Sequence, residues 1–155
     1  MKRLFVAGFL FLLSLSAFAD IDTTVLHELS VKMVVQATKI ASAFTENKMR
    51  TDDGVYQDIW LEEFNISDSL EIVVNTVELY KGLSSKSKDS LVIHALDNLM
   101  LTNESCKINL VNLTNSRDSI HNIHLKNEVA KQSDYANQAC DGIEKMQKVF
   151  LKTLN

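Results

Sequence analysis

The chain has 155 residues, 46% of them hydrophobic, with 16 basic and 20 acidic side chains for a net charge of −4. That length supports one domain with a real core, and the acidic balance argues against nucleic acid and anionic membrane surfaces as partners. Four glycines and no proline leave too little turn punctuation for a fold of many short strands.

Residues 1–19 have the three parts of a secretory signal. Lys2 and Arg3 form a positive start, Leu4 to Leu15 an apolar run, and Ala17-Phe18-Ala19 a small-residue cleavage site before Asp20. The apolar run is shorter than the roughly 20 residues a membrane-spanning helix needs. These features predict cleavage after Ala19, a periplasmic or secreted address of bacterial type, and a mature single domain over residues 20–155 with no stable membrane insertion. Loss of Lys2 and Arg3 leaves 14 basic residues against 20 acidic ones, a net charge of −6.

Apolar residues recur at helical spacing through the mature chain. Leu26, Leu29, Met33, Ala37, Ile40 and Phe44 form a first stripe. A later one runs through Val92, Leu96, Leu99, Asn103, Cys106, Leu110, Leu113 and Ile120. In the last segment Val129, Ala136, Ile143 and Phe150 recur every seven residues, with Ser133, Cys140, Met146 and Leu154 between them. The breaks fit helices too. Asp20 or Asp22 suits a first N-cap, that helix fades near Asn47, and Thr51 to Gly54 reads as a turn. Asn65 to Ser67 reads as a possible helix restart, Gly82 as a left-handed helix end, and Ser84 to Asp89 as a polar connection. The expected fold is all-α: an antiparallel bundle of about four helices.

Cys106 and Cys140, the only cysteines, lie on the apolar seams of the last two helices. In an oxidising compartment two cysteines pair. A disulfide needs α-carbons about 5.5–6 Å apart, closer than the usual 8–10 Å between helix axes suggests, and Ala136 and Ala139 allow that approach. Facing residues are then symmetric about Ile123, which places the hairpin tip between Asn115 and Asn127. Composition alone points to Thr114–Ser119. No C-x-x-C pair supports a redox role.

Motifs for chemistry are sparse. Asp118, His121, His124 and Glu128 form the best metal-ligand cluster, but their spacing matches no strong ligand pattern. Glu-x-x-His pairs, C-x-x-C-H, phosphate loops, the nucleophile elbow and H-E-x-x-H are absent. His27 and His94 are isolated, and nothing singles out Tyr80 or Asn75. The chain reads as noncatalytic and without a cofactor. A metal- or haem-binding bundle, with Met33 and a histidine as haem ligands, is the alternative. Asn103 sits on a seam, where a polar residue either fixes register or lies at the rim.

The charge is unevenly placed. From Thr51 through Tyr80 there are eight acids, Asp52, Asp53, Asp58, Glu62, Glu63, Asp68, Glu71 and Glu78, and no lysine or arginine. The rest of the mature chain has a net charge of +2. On a helical wheel Tyr56, Trp60 and Phe64 cluster opposite Asp58 and Glu62, which predicts that the aromatics cover the core and the acids form a one-signed outer face. Such a face suits docking of a basic protein partner. Address, size and charge together suggest a noncatalytic binding protein, of the immunity or inhibitor type or chaperone-like, by analogy of class.

Overall fold

The computed structural model describes residues 23–46, 53–83 and 85–152. The signal and cleavage site (residues 1–19), together with Asp20, Asp22, Asn47, Thr51 and Asp52, lie outside the described residues. Four long helices account for nearly all the rest: α1 (Thr24–Glu46), α2 (Asp53–Gly82), α3 (Ser85–Asp118) and α4 (Ile123–Lys152). No strand occurs among the described residues, and no helix there is long and apolar enough to cross a membrane.

Cross-helix pairs fix the topology. Ser30 meets Ser67 and Phe44 meets Tyr56, so α1 and α2 run antiparallel. Asn65 meets Asn109 and Glu62 meets Asn112, Cys106 meets Cys140 and Asn103 meets Gln147, and Gln36 meets Glu128 and Met33 meets Gln132, so every neighbouring pair around the ring is antiparallel. Across the diagonal α2 and α4 run parallel, with Tyr80 against Phe150 at 5.0 Å between ring centroids. This is an up-down-up-down four-helix bundle.

The apolar stripes become the core. Leu26, Leu29, Met33, Ile40 and Phe44 are buried on α1; Leu99, Cys106 and Leu113 on α3; Val129, Ala136, Cys140, Ile143 and Phe150 on α4. Ile59, Ile66, Leu70, Val73 and Val77 supply the core face of α2, again at three-four spacing. At Gly142 a β-carbon would stand 2.5 Å from Leu26 Cδ2, so the glycine lets α1 press closely onto α4.

The ends follow local chemistry. Asn122 caps α4, its Oδ1 accepting from the amides of His124 at 2.9 Å and Leu125 at 3.2 Å, which satisfies donors that have no partner inside the helix. The α3–α4 tip occupies Ser119–Asn122, inside the window set by the cysteine pairing. Helix α2 ends at Gly82 as expected, but without a left-handed φ; Leu83 N–H simply bonds Tyr80 O at 3.3 Å. Three boundaries differ from expectation. Helix α2 already begins at Asp53, inside the expected Thr51–Gly54 turn, α3 begins at Ser85, and α2 runs unbroken through Asn65–Ser67. There the short polar side chains find partners without leaving the helix. Asn65 Nδ2 donates to Asn109 Oδ1 at 3.4 Å, Ser67 Oγ pairs with Ser30 Oγ at 3.3 Å, and Ser69 Oγ donates to Asn65 O at 2.8 Å.

Candidate functional site

The disulfide ties α3 to α4, with Cys106 and Cys140 Cα atoms 5.6 Å apart and both residues buried. Asn103, three residues earlier, is buried, and its Nδ2 donates to Gln147 Oε1 at 2.8 Å. It is a seam residue joining the same two helices.

The eight acids do not form one face. Asp52 lies outside the described residues, and of Asp53 only the backbone, at the start of α2, is described. Asp58, Asp68, Glu71 and Glu78 are exposed. Glu62 and Glu63 are buried, which corrects their expected place on the outer surface. Both stand in the core seam, between Ile59 and Ile66. Glu62 turns toward α3, where Asn112 Nδ2 donates to its Oε1 at 3.2 Å. Burial raises its pKa, Asn112 opposes the rise, and the nearby Asp58 charge adds to it. At the far end of the helix, Glu78 Oε1 accepts from Thr23 Oγ1 at 2.7 Å and from Lys81 Nζ at 2.9 Å. Those hydrogen bonds, Thr23's first, hold its carboxyl below the ordinary range.

The aromatics also depart from expectation. Trp60 is 54% exposed and Phe64 58% exposed; they stack on each other at 5.8 Å between ring centroids instead of covering the core. Only Tyr56 turns inward, against Phe44 at 4.6 Å. The exposed rings line a groove of about 450 Å³ between α1 and α2, within the size range of ligand pockets. Met33, Val34, Ala37, Thr38 and Ala41 form its α1 wall; Tyr56, Glu63 and Ser67 add to the α2 wall, and Gln132 of α4 reaches it from across the bundle. The small side chains of Ala37 and Ala41 leave the space.

Two polar groups in this apolar setting are not satisfied. Glu63 is 5% exposed and Gln132 fully buried, and Oε1 of each has no hydrogen-bond partner. Burial alone pushes the Glu63 carboxyl up to about 8, so at neutral pH it is mostly protonated. Gln132 Nε2 donates to Met33 O at 3.2 Å, which fixes its amide orientation and leaves the carbonyl oxygen over. Unpaired buried polar atoms are costly and cluster at functional sites.

The metal-ligand cluster at the α3–α4 tip is not assembled. Asp118 pairs with Arg117 at 3.0 Å, and its carboxyl is held low chiefly by that hydrogen bond. Glu128 pairs with Lys131 at 2.5 Å and accepts from Gln36 Nε2 at 2.7 Å. His121 and His124 are exposed. Among the described residues no three His, Cys, Asp or Glu side chains converge as a cation would require. Met33 lines the groove, but no histidine does.

Sequence pattern placed Glu63 on the outer acidic face and missed Gln132 as a site residue, although a signal existed. Gln132 falls between Val129 and Ala136 on the α4 seam, and Glu63 stands four residues after Ile59 and three before Ile66. Polar residues at core spacing are the informative exceptions to a helical stripe. The fold thus defines a disulfide-tied four-helix bundle with a groove along one helix pair. Comparison with protein-family models, with curated proteins and with solved structures finds no match for this chain.

Proposed function

We propose that this chain is a noncatalytic binding protein of the periplasm or extracellular space, and that its α1–α2 face docks a basic, amphipathic segment of a protein partner. The observation that carries this reading is the exposed Trp60–Phe64 stack at the edge of the groove, continuous with acids on the same helix. Trp60, Phe64, Asp68, Glu71 and Glu78 fall within a sector of about 80° at the helical repeat. All five are exposed. Apolar contact at one end of the stripe and negative charge along the rest match a segment with apolar anchors and lysine or arginine beside them. Val34, about half exposed, extends the apolar area onto α1. Contiguous exposed apolar surface with a charged border is characteristic of interaction sites.

Immunity- or inhibitor-type proteins and chaperone-like proteins both act through surfaces of this kind, and the function belongs with them. The test uses a synthetic amphipathic helix of about 18 residues with leucines on one face and lysines on the other, and a counterpart with glutamates in place of the lysines. Trp60, the only tryptophan, reports binding through its emission. The basic peptide should bind and the acidic one should not, and Trp60→Ala, which leaves the charge unchanged, should weaken binding measured by calorimetry. Equal binding of both peptides, or full affinity in Trp60→Ala, would reject the docking face.

A further inference from the structure

Glu63 and Gln132 stand at the same level of the bundle. Helices α2 and α4 run parallel across the diagonal, and the offset that carries Tyr80 to Phe150 carries Glu63 to Ser133, the neighbour of Gln132. Both side chains line the one groove. In each, one buried oxygen, Oε1, has no hydrogen-bond partner. What is missing is a group with several N–H or O–H donors that reaches oxygens on two different helices.

We propose that the groove is a receptor site for a primary ammonium on an apolar stem, which on the docked partner is a lysine side chain. Its donors engage Glu63 Oε1 and Gln132 Oε1, and its methylenes lie against Met33, Ala37, Ala41 and the Trp60 and Phe64 rings. A cation suits the site better than a neutral donor. It provides the counter-charge that lets Glu63 ionise, the aromatic faces attract it, and the outer acids raise its local concentration. An ammonium also suits it better than a guanidinium. Three tetrahedral donors reach separate acceptors, whereas the planar fork of arginine matches two oxygens of one carboxylate. Only the source of the ammonium rests on the docking reading; the chemistry of the site does not.

Binding then couples to a proton. Burial holds the Glu63 carboxyl at about 8 in the empty groove, and an adjacent cation favours the ionised form. Other groups interfere little. The α1 and α4 residues lining the groove carry no charge, α3 contributes none of the lining, and Tyr56 is the other titratable lining residue. On Glu63's own helix, Glu62 turns to Asn112 and Asp58 to solvent.

The test titrates the full folded chain with n-hexylammonium, hexan-1-ol and hexanoate, by calorimetry in buffers of different ionisation enthalpy. The amine should bind at least about tenfold more tightly than the alcohol, as a charge-assisted hydrogen bond implies. It should release most of a proton per site at pH near 7. In Glu63→Gln, which keeps the size and neutrality of the protonated acid, the amine should lose this preference and release no proton. An amine that binds no better than the alcohol, one that binds Glu63→Gln as tightly as wild type, or one that binds without proton release overturns the site. The lysine peptide should release a proton, and the same peptide with norleucine for lysine should release none. A peptide that binds normally while hexylammonium does not removes this subsite and leaves the docking face. The reverse result removes the docking face and leaves an amine site.

Discussion

Trp60 and Ile59 are adjacent in sequence and opposite in environment: Ile59 is completely buried and Trp60 is 54% exposed. The largest side chain of α2 is thus spent on solvent and on Phe64, while a smaller aliphatic one fills the core. The energetic consequence is the reverse of what side-chain size suggests. Trp60→Ala should cost about 1 kcal/mol or less, the order of one aromatic contact. Ile59→Ala should cost about 2–5 kcal/mol, because it removes buried methyl groups and leaves a cavity. Urea unfolding followed by far-ultraviolet circular dichroism compares the two. A Trp60→Ala loss as large as that of Ile59→Ala would show that the ring belongs to the core.

The Cys106–Cys140 link closes a loop with a sequence separation of 34 between helices that also share Asn103–Gln147 and Lys107–Glu144 bonds. In the chain-entropy description, closing such a loop restrains the unfolded chain by about 4 kcal/mol. Replacing both cysteines by alanine should lower stability by roughly that amount, with a further cost because both sites are buried. Reductant should lower the urea midpoint of the wild type and leave the double variant unchanged. Thiol titration of the denatured, unreduced protein should find no free thiol.

The fold was legible because the apolar spacing is regular where each helix has a narrow inward face. Leu26, Met33, Ile40, Leu99, Cys106, Val129, Ala136 and Ile143 were placed on seams by spacing, and all are buried. Helix α2, which like α4 packs against all three other helices, was harder to read. Its inward arc is wide enough to take Glu62 and Glu63 along with Ile59 and Ile66, whereas the wheel put Trp60 and Phe64 inside and Glu62 outside. The same width explains the continuous helix through Asn65–Ser67. Side chains that would cap a free helix end instead bond Asn109 and Ser30 on neighbouring helices, and no local pattern reveals those partners. The groove was not legible either, since it arises from Ala37 and Ala41 on α1 facing a distant stretch of α2.

The outer acids should differ from one another in effect. Asp68 and Glu71 are exposed, so Asp68→Asn with Glu71→Gln should shift stability by about 0.5 kcal/mol or less. The same pair should slow association of a basic peptide and flatten its salt dependence, since screening acts over about 8–10 Å at physiological strength. Glu78→Gln is different because its carboxylate accepts from Thr23 beside the start of α1 and from Lys81. It should loosen the α1 start, read as faster amide hydrogen exchange over the first turn, whatever its effect on binding. Stopped-flow Trp60 emission at low and high salt measures the association rates, and identical salt slopes for wild type and the Asp68/Glu71 variant would assign those acids to solvent alone.

Glu63 should make the protein less stable as pH rises, the opposite of the usual carboxylate. In the unfolded chain its carboxyl titrates near 4.5; in the folded chain burial raises this to about 8. Between those values the folded state binds more protons than the unfolded one, so stability falls with increasing pH. The contribution is fully present below about 4.5, is lost progressively up to about 8, and is a constant penalty above that, a few kcal/mol in size. Glu63→Gln cannot ionise. It should match wild type near pH 4 and exceed it near pH 9, with urea midpoints diverging as pH rises between those values. Glu62, whose carboxyl burial also raises, acts in the same direction but is present in both proteins, so their difference isolates Glu63. The carboxylates held low by hydrogen bonds, Glu78, Asp118, Glu128 and Glu144, lose their stabilisation as pH falls from about 4.5 downward, below the range over which Glu63 acts. Hexylammonium should narrow the gap between wild type and variant near pH 9, because a ligand bound to the folded state by ionised Glu63 offsets the penalty. Parallel midpoint curves for the two proteins between pH 5 and 9 would mean that Glu63 is solvated and ionised in the fold, and the ammonium site would lose its buried acceptor.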